Sequence, residues 1–354
     1  MKQKRIVIKL GTNTLTTEKG SLDNQYFSNI AGQIVQLKEE GHDIIIVSSG
    51  AIGAGKDTLH ISGKIQDIIL RQACAAIGQD LLMKMWRQAF SKYNINVAQL
   101  LLTYDSFVNR KVYLNLTESL NKLLELGVIP IINENDAIST QEIDASFGDN
   151  DKLSALVASK IDADILILLS DIEGLYTSNP KKSHFGKKPE LIREVQKITP
   201  EIERMGGKAS IKGTGGMKTK LDAAKICSSA GVEMVIAPGR VDDVLRKVLV
   251  HEVGTRFLSS TRISQKERWI NLAPVKGKII VDEGAFKALK EGKSLLPAGV
   301  IKIEGVFEKN EVIELVCTKS FGKAISDYSS IQLEKIKGKK GEKIIFKREN
   351  FVFV

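Results

Sequence analysis

The chain has 354 residues, too long for one ordinary domain and comfortable for two. Hydrophobic residues make up 43% and charged residues 27%, ordinary globular proportions that allow a large core without disulfide or metal staples. The net charge of +10 either reflects a lysine-rich proteome or suits an anionic partner, nucleotide phosphates first and nucleic acid second.

The N-terminus Met1-Lys2-Gln3-Lys4-Arg5 is basic, but the apolar run after it ends at Lys9. That is too short for a signal-peptide core, and no stretch approaches the ~20 apolar residues of a membrane span. The expectation is a soluble, cytoplasmic protein with no membrane partner. From there to about residue 260, short β-branched runs alternate with helical patterns. Strands are predicted at Arg5–Leu10, Asp43–Ser49, Asn96–Leu101, Val128–Asn133, Ile165–Ser170 and Met234–Ala237. Helices are predicted at Asn24–Glu40, Ile65–Tyr93, Arg110–Leu126, Lys152–Ser159 and Lys218–Ala230. This alternation implies an α/β fold with βαβ units and a mainly parallel sheet. Gly41 and Gly127 stand where a helix would stop before the next strand.

After about Trp269 the texture changes. Runs such as Gly277–Val281, Gly299–Glu304 and Glu311–Cys317 alternate with Gly and Pro turns, which predicts a small, mainly β domain. A stretch rich in Ser, Thr and Arg, Gly254–Lys266, suggests a junction. The domains are therefore placed at 1–258 and 273–354, with a linker at 259–272. Cys74, Cys227 and Cys317 form no CxxC pair and read as reduced thiols. His42, His60, His184 and His251 lack metal-ligand spacing, so no protein-held metal is expected.

Polar groups collect just after the predicted strand ends. Gly11-Thr12-Asn13 follows the first strand, Ser49-Gly50-Ala51 the second, Glu134-Asn135-Asp136 the fourth, and Asp171 the fifth. Ligands of open α/β sheets bind at that edge. Lys9 lies inside an apolar strand, which is costly unless the lysine meets an anion there. The segment Gly213-Thr-Gly-Gly-Met-Lys-Thr-Lys220 runs straight into a helix. Its glycines let backbone N–H groups approach phosphates, and Lys220 adds a full charge. The segment Gly50-Ala-Ile-Gly-Ala-Gly55-Lys56-Asp57 nearly spells a Walker A loop, but Asp57 replaces the hydroxyl that would meet magnesium. Gly50–Gly55 is expected instead to permit tight packing around a small substrate. Asp136, Asp149 and Asp151 bring carboxylates to the same edge, with Asn150 between the last two.

Together these stretches resemble the amino acid kinase family, in the branch that phosphorylates glutamate. The resemblance runs from Val7-Ile-Lys9-Leu-Gly11-Thr through Val47-Ser-Ser49-Gly, Arg71-Gln-Ala-Cys-Ala-Ala-Ile-Gly78-Gln, Tyr113-Leu-Asn, Asn133-Glu-Asn-Asp136, Gly148-Asp-Asn150-Asp151 and Ser170-Asp171-Ile-Glu-Gly174 to Gly213–Lys220. The segments Val281-Asp-Glu-Gly284 and Ser294-Leu-Leu-Pro297-Ala-Gly299 resemble a PUA domain. The implied fold is a three-layer αβα sandwich with a mainly parallel central sheet, followed by a PUA-like domain. The implied reaction uses ATP, with Mg2+, to phosphorylate the side-chain carboxylate of L-glutamate, the first step of proline biosynthesis.

The resemblance also implies residue roles. Lys9 and Lys220 would neutralise charge on the transferring phosphoryl group, and Asp151 would hold both lysines. Ser49, Gly50, Asp136 and Asn150 would bind glutamate, with Asn133 nearby. Lys9, Gly11, Ser170, Asp171, Thr214, Gly215, Gly216, Met217, Lys218, Thr219 and Lys220 would line the ATP site, although Lys218 also suits a solvent-facing position. A dimer or tetramer is implied, as is feedback by proline through a loop near Leu100–Asn115. The competing expectations are a related kinase acting on acetylglutamate, aspartate, carbamate or UMP, and an RNA-binding role for the second domain. Glu334, Glu342 and Glu349 interleave with the C-terminal lysines, a pattern of solvated surface rather than of an RNA site.

Overall fold

A computed structural model of the chain describes residues 3–103, 105–138, 150–178, 189–207, 216–259, 264–339 and 343–353. It divides into two compact units, 1–262 and 263–354.

In the first unit the elements follow in order: β1 (Arg5–Leu10), α1 (Thr12–Leu15), α2 (Asn24–Glu39), β2 (Asp43–Ser48), α3 (Ala51–Thr58), α4 (Ile68–Ser91), β3 (Val97–Leu102), α5 (Asp105–Val108), α6 (Arg110–Glu125) and β4 (Ile129–Glu134). They continue with α7 (Asn150–Lys160), β5 (Ile165–Ser170), β6 (Glu194–Val195), α8 (Pro200–Met205), α9 (Met217–Ala230), β7 (Glu233–Pro238), α10 (Val244–Leu249) and β8 (Thr255–Phe257). One sheet runs β3-β4-β2-β1-β5-β7-β8-β6, parallel except where β7 meets β8. The six strands expected from sequence all form, with ends shifted by at most one residue.

Strand β1 shows why the sheet is buried on both faces. Five of its six residues are buried. Ile6, Ile8 and Leu10 pack into one cluster with side chains of α2, α4 and α10. Val7, Ile45, Val47, Leu166 and Leu168 point the other way and are equally buried, on the side where α7 touches β1, β2, β4 and β5. Parallel register aligns Leu10 with Ser48 of β2 and with Leu169 of β5. The carboxyl ends of these strands therefore open at one edge. The chain leaves β1 toward β2 on one side while β5 flanks it on the other, so the edge is a topological switch point.

The stretch Gly50–Gly55 divides, Gly50 and Gly53 lining a cleft while Gly55 departs from expectation. Residues 51–58 form helix α3, and Gly55 packs on protein rather than on a substrate. A Cβ on Gly55 would lie 1.9 Å from the carbonyl oxygen of Cys74, and one on Gly78 would lie 1.8 Å from that of Ala51. The two glycines let α3 and α4 approach backbone to backbone. Their weak intrinsic helix propensity hid α3 from the sequence, and packing against α4 supports it instead. Gly50 precedes the helix at φ 110°, in the left-handed region open chiefly to glycine.

The second unit contains α11 (Gln265–Leu272), β9 (Gly277–Val281), α12 (Glu283–Lys290), β10 (Val300–Glu304), β11 (Val312–Val316), β12 (Ser320–Ile325), α13 (Ser330–Ile336) and β13 (Phe351–Phe353). Its sheet runs β10-β9-β11-β12-β13, with only β9 and β11 parallel. Residues 265–272, expected as part of a linker, are helical. Ser264 caps α11 by accepting from Glu267 N, and Glu267 accepts in return from Ser264 N. The core gathers Ile279, Leu289, Leu315, Phe321, Phe346 and Phe351.

Gly78→Ala is expected to lower stability by about 3 kcal/mol, because the new methyl meets backbone that can yield only by parting the helices. The check is the midpoint of chemical or thermal unfolding; a wild-type midpoint would mean that α3 and α4 separate freely.

Candidate active site

Three segments distant in sequence meet at the carboxyl edge of the sheet. Lys9 comes from the penultimate position of β1, Asp151 from the first turn of α7, and Lys220 from the first turn of α9. Lys9 Nζ lies 2.6 Å from Asp151 Oδ1, and Lys220 Nζ lies 2.9 Å from Asp151 Oδ2. Thr219 Oγ1 is 3.1 Å from the same Oδ2. Asp151 is 0% exposed, and both lysines are buried. Burial alone would raise the Asp151 carboxyl, but the two ammonium groups and their hydrogen bonds outweigh it and hold the carboxyl well below the usual range.

The triad carries one negative and two positive charges. The surplus cation faces a cleft of about 250 Å³, a ready complement to an anion. The cleft is lined by Lys9, Gly11, Thr12, Asn13 and Thr14 after β1; Ser49 to Gly53 after β2; Arg71 of α4; Asn133, Glu134 and Asp136 at the end of β4; Asn150; Ser170 and Asp171 after β5; and Lys220. At Gly11 a Cβ would stand 3.6 Å from Lys9 Nζ. Glycine therefore leaves the space beside that ammonium open.

Two different walls enclose the cleft. On one, Asn13 Nδ2 donates to Asp171 Oδ2 at 3.2 Å, and Ser170 Oγ lies 3.1 Å from Asp171 Oδ1. Burial would raise the Asp171 carboxyl, yet these hydrogen bonds, with Lys220 beyond them, hold it low. Arg240, just past β7, donates to the carbonyls of Thr14 (3.2 Å) and Thr16 (2.7 Å) and pairs with Asp23 at 3.0 Å. It clamps the far end of the turn that carries Gly11 to Thr14.

On the other wall, a chain of amides is fixed by its hydrogen bonds. Asn133 Nδ2 donates to Gln79 Oε1 at 2.8 Å, and Asn133 Oδ1 accepts from Asn150 Nδ2 at 2.8 Å. The same Asn150 nitrogen reaches Ser49 Oγ at 2.9 Å. The Glu134 backbone N–H donates to Asn133 Oδ1 at 2.9 Å and so sets the polarity of Asn133, which in turn sets that of Gln79 and of Asn150. The carbonyl oxygen of Asn150 is left to face other donors. Asp136 stands beyond, its carboxyl pushed up to about 7 by burial and by the neighbouring Glu134, with Arg71 opposing.

All five residues expected to bind the acceptor, Ser49, Gly50, Asn133, Asp136 and Asn150, line this one cleft. So do Lys9, Gly11, Ser170, Asp171 and Lys220 of the expected nucleotide set. Gly216, Met217 and Thr219 begin α9 beside the triad, and Lys218 is exposed. Thr214, Gly215, Gly148 and Asp149 lie outside the described residues. Sequence reasoning passed over Arg71, Gln79 and Arg240 as site residues. Arg71 and Gln79 stand on the helical stripe 71, 75, 78/79, 82, otherwise apolar or small. Polar side chains on such a stripe are the signal that would have found them. Among the described residues, no group of three or more His, Cys, Asp or Glu could hold a metal ion, and no helix is long and apolar enough to cross a membrane.

Residues 4–238 match the model of the amino acid kinase family. The chain belongs to the amino acid kinase family. Residues 277–347 match the PUA domain. The glutamate 5-kinase of Methanococcoides burtonii is 51% identical over 344 residues, 96% of this chain and 91% of that protein. The glutamate 5-kinase of Caldanaerobacter subterraneus subsp. tengcongensis is 45% identical over 341 residues, covering 94% and 90%. Among solved structures, carbamate kinase from Giardia lamblia bound to AMP-PNP superposes with a TM-score of 0.53 at 21% identity, over 73% of this chain and 99% of that one. UMP kinase from Ureaplasma parvum gives 0.51 at 15% identity, over 73% and 100%. These two show the fold alone. In this amino acid kinase, the three-layer arrangement and the mainly β second domain are those expected from sequence.

Asp151→Asn should destabilise the free enzyme by about 3 kcal/mol, since it leaves two buried ammonium groups without their anion. ATP should restore part of the loss, because its phosphates supply the missing charge. Thermal unfolding with and without ATP checks this; an unchanged midpoint in the free enzyme would count against the triad's role.

Proposed function

We propose that this kinase transfers the γ-phosphoryl group of ATP to the side-chain carboxylate of L-glutamate, giving L-glutamyl 5-phosphate at the start of proline biosynthesis. The observation that carries this is the buried Lys9–Asp151–Lys220 triad at a cleft that Asp136 and Asn150 also line. Near full-length likeness to glutamate 5-kinases supports the choice of acceptor.

The chemistry asks little of the protein beyond placement and charge. A carboxylate is already ionised at neutral pH, so the nucleophile needs no strong general base. It must be brought against a polyphosphate of the same sign, and in-line transfer spreads negative charge over the moving group. Lys9 and Lys220 supply the offsetting cations. Asp151 fixes both ammonium groups before substrate arrives, so little reorganisation remains for the reactive moment. Gly11, Ser170, Asp171 and Lys220, with Gly216, Met217 and Thr219 at the start of α9, are assigned to the nucleotide side. Ser49, Gly50, Asn133, Asp136 and Asn150 form the glutamate side, with Asp136 and the Asn150 carbonyl oxygen accepting from the α-ammonium. Magnesium suits this donor set as an ion carried on ATP phosphate oxygens and water, because the central carboxylate is already committed to two lysines.

The same proposal includes an oligomer, dimer or tetramer, and inhibition by proline through residues 100–115. Exposed apolar side chains on the edge strand β3 and on α6, Leu101, Val112 and Leu114, support a self-association surface. The three free cysteines support a cytoplasmic location.

The decisive assay traps acyl phosphate as a hydroxamate. ATP with glutamate should give rapid trapping, while acetylglutamate and aspartate give little, and UMP should release little ADP; faster turnover of any of these would overturn the assignment. Proline added to the same assay should inhibit. Lys9→Ala and Lys220→Ala should each lower turnover by at least ~10²-fold, measured at saturating substrates.

The Asp136 carboxyl predicts a pH dependence. Its free-enzyme value is raised to about 7, so it is neutral below that pH and cannot pair with an ammonium. The KM for glutamate should therefore rise about tenfold per pH unit below neutrality, and level off above it. Asp136→Asn should flatten the profile at a high KM; a sloping profile in that variant would assign the titration elsewhere.

A further inference from the structure

We infer that Arg71 binds the α-carboxylate of the acceptor and so selects a free α-amino acid. This rests on the glutamate assignment above. L-Glutamate carries three charged groups, and the cleft must match each. The reacting γ-carboxylate belongs beside Lys9 and Lys220, and the α-ammonium beside Asp136. The α-carboxylate then enters a region holding the carboxylates of Glu134 and Asp136, where like charge would repel it. A cation at that end offsets the repulsion.

Among the described residues lining the cleft, the cations are Lys9, Lys220 and Arg71. Both lysines are held on Asp151 at the phosphoryl end. Arg71 is half-buried in the first turn of α4, and its charge reaches Asp136, where it opposes the upward push of burial and Glu134. The guanidinium offers two parallel N–H donors, the geometry that suits a carboxylate. An arginine and an aspartate at one end of a cleft present the charge complement of an α-amino-acid head group. Helix α4 is fixed against α3 by the Gly55 and Gly78 contacts, so Arg71 projects from a rigid base.

The test compares L-glutamate with L-isoglutamine, which keeps the γ-carboxylate and α-ammonium but carries an α-carboxamide. The wild-type enzyme should favour glutamate by at least ~10²-fold in kcat/KM, as expected where a charged donor pair is left poorly matched. Arg71→Gln should lose roughly that factor on glutamate through KM, change isoglutamine by less than about threefold, and leave the KM for ATP unchanged. Arg71→Lys should recover part of the glutamate preference, keeping the charge but not the fork. Equal losses on both substrates would mark a merely structural role and overturn the inference. So would an unchanged KM for glutamate in Arg71→Gln, or a wild-type enzyme indifferent to the amide. A wild-type enzyme that phosphorylates neither compound, yet turns over another acceptor, would overturn the glutamate assignment and this inference together.

Discussion

The molecule is organised around one buried carboxylate that holds two lysines. Asp151 has no exposed surface, and its two oxygens are taken by Lys9 and Lys220 at 2.6 and 2.9 Å. Separately, each of the three charges would be costly at that depth. Together they form a unit with a net positive charge, made tolerable by their mutual proximity and useful by the surplus. The rest of the first unit is an apparatus for bringing these three residues to one point. A six-residue apolar strand delivers one, and the first turns of two helices on the same sheet face deliver the others. The β1–β5 register and the packing of α7 against α9 set the distances. Loosening any of them unbalances a charge rather than merely opening a gap.

Much of this was legible in the sequence, for physical reasons. Strands β1, β2, β4 and β5 are apolar almost throughout because both faces are covered, so their limits stand out against polar flanks. Lys9 was conspicuous for the same reason: a cation in such a run demands an anion. The strand-end cluster was readable because parallel strands put all their carboxyl ends on one side. The role of Asp151 was not derivable from spacing. Its place at a helix start also fits plain capping, and the residues alone left it open whether acids at this edge meet a substrate ammonium or orient lysines; the resemblance pointed to Lys9 and Lys220.

Other features escaped because they depend on tertiary contact. Helix α3 is rich in glycine, and its stability comes from α4, through contacts of Gly55 with Cys74 and of Ala51 with Gly78 that link residues far apart in sequence. The amide chain through Gln79, Asn133 and Asn150 joins three elements whose order in sequence gives no hint that they touch. Arg240 clamps carbonyl oxygens of Thr14 and Thr16, and backbone atoms leave no trace in sequence.

The α3–α4 crossing has a wider consequence. Where two helices meet through side chains, their separation drifts as those side chains are exchanged over evolutionary time. Here the spacing is set by main chain against main chain at Gly55 and Gly78. It works as a gauge block between the strand-end turn at Gly50 and the helix bearing Arg71 and Gln79. The outward faces of both helices are then free to diversify for solubility or assembly while the dimensions of the pocket stay constant. Selectivity and surface chemistry are thereby uncoupled in one short stretch of chain.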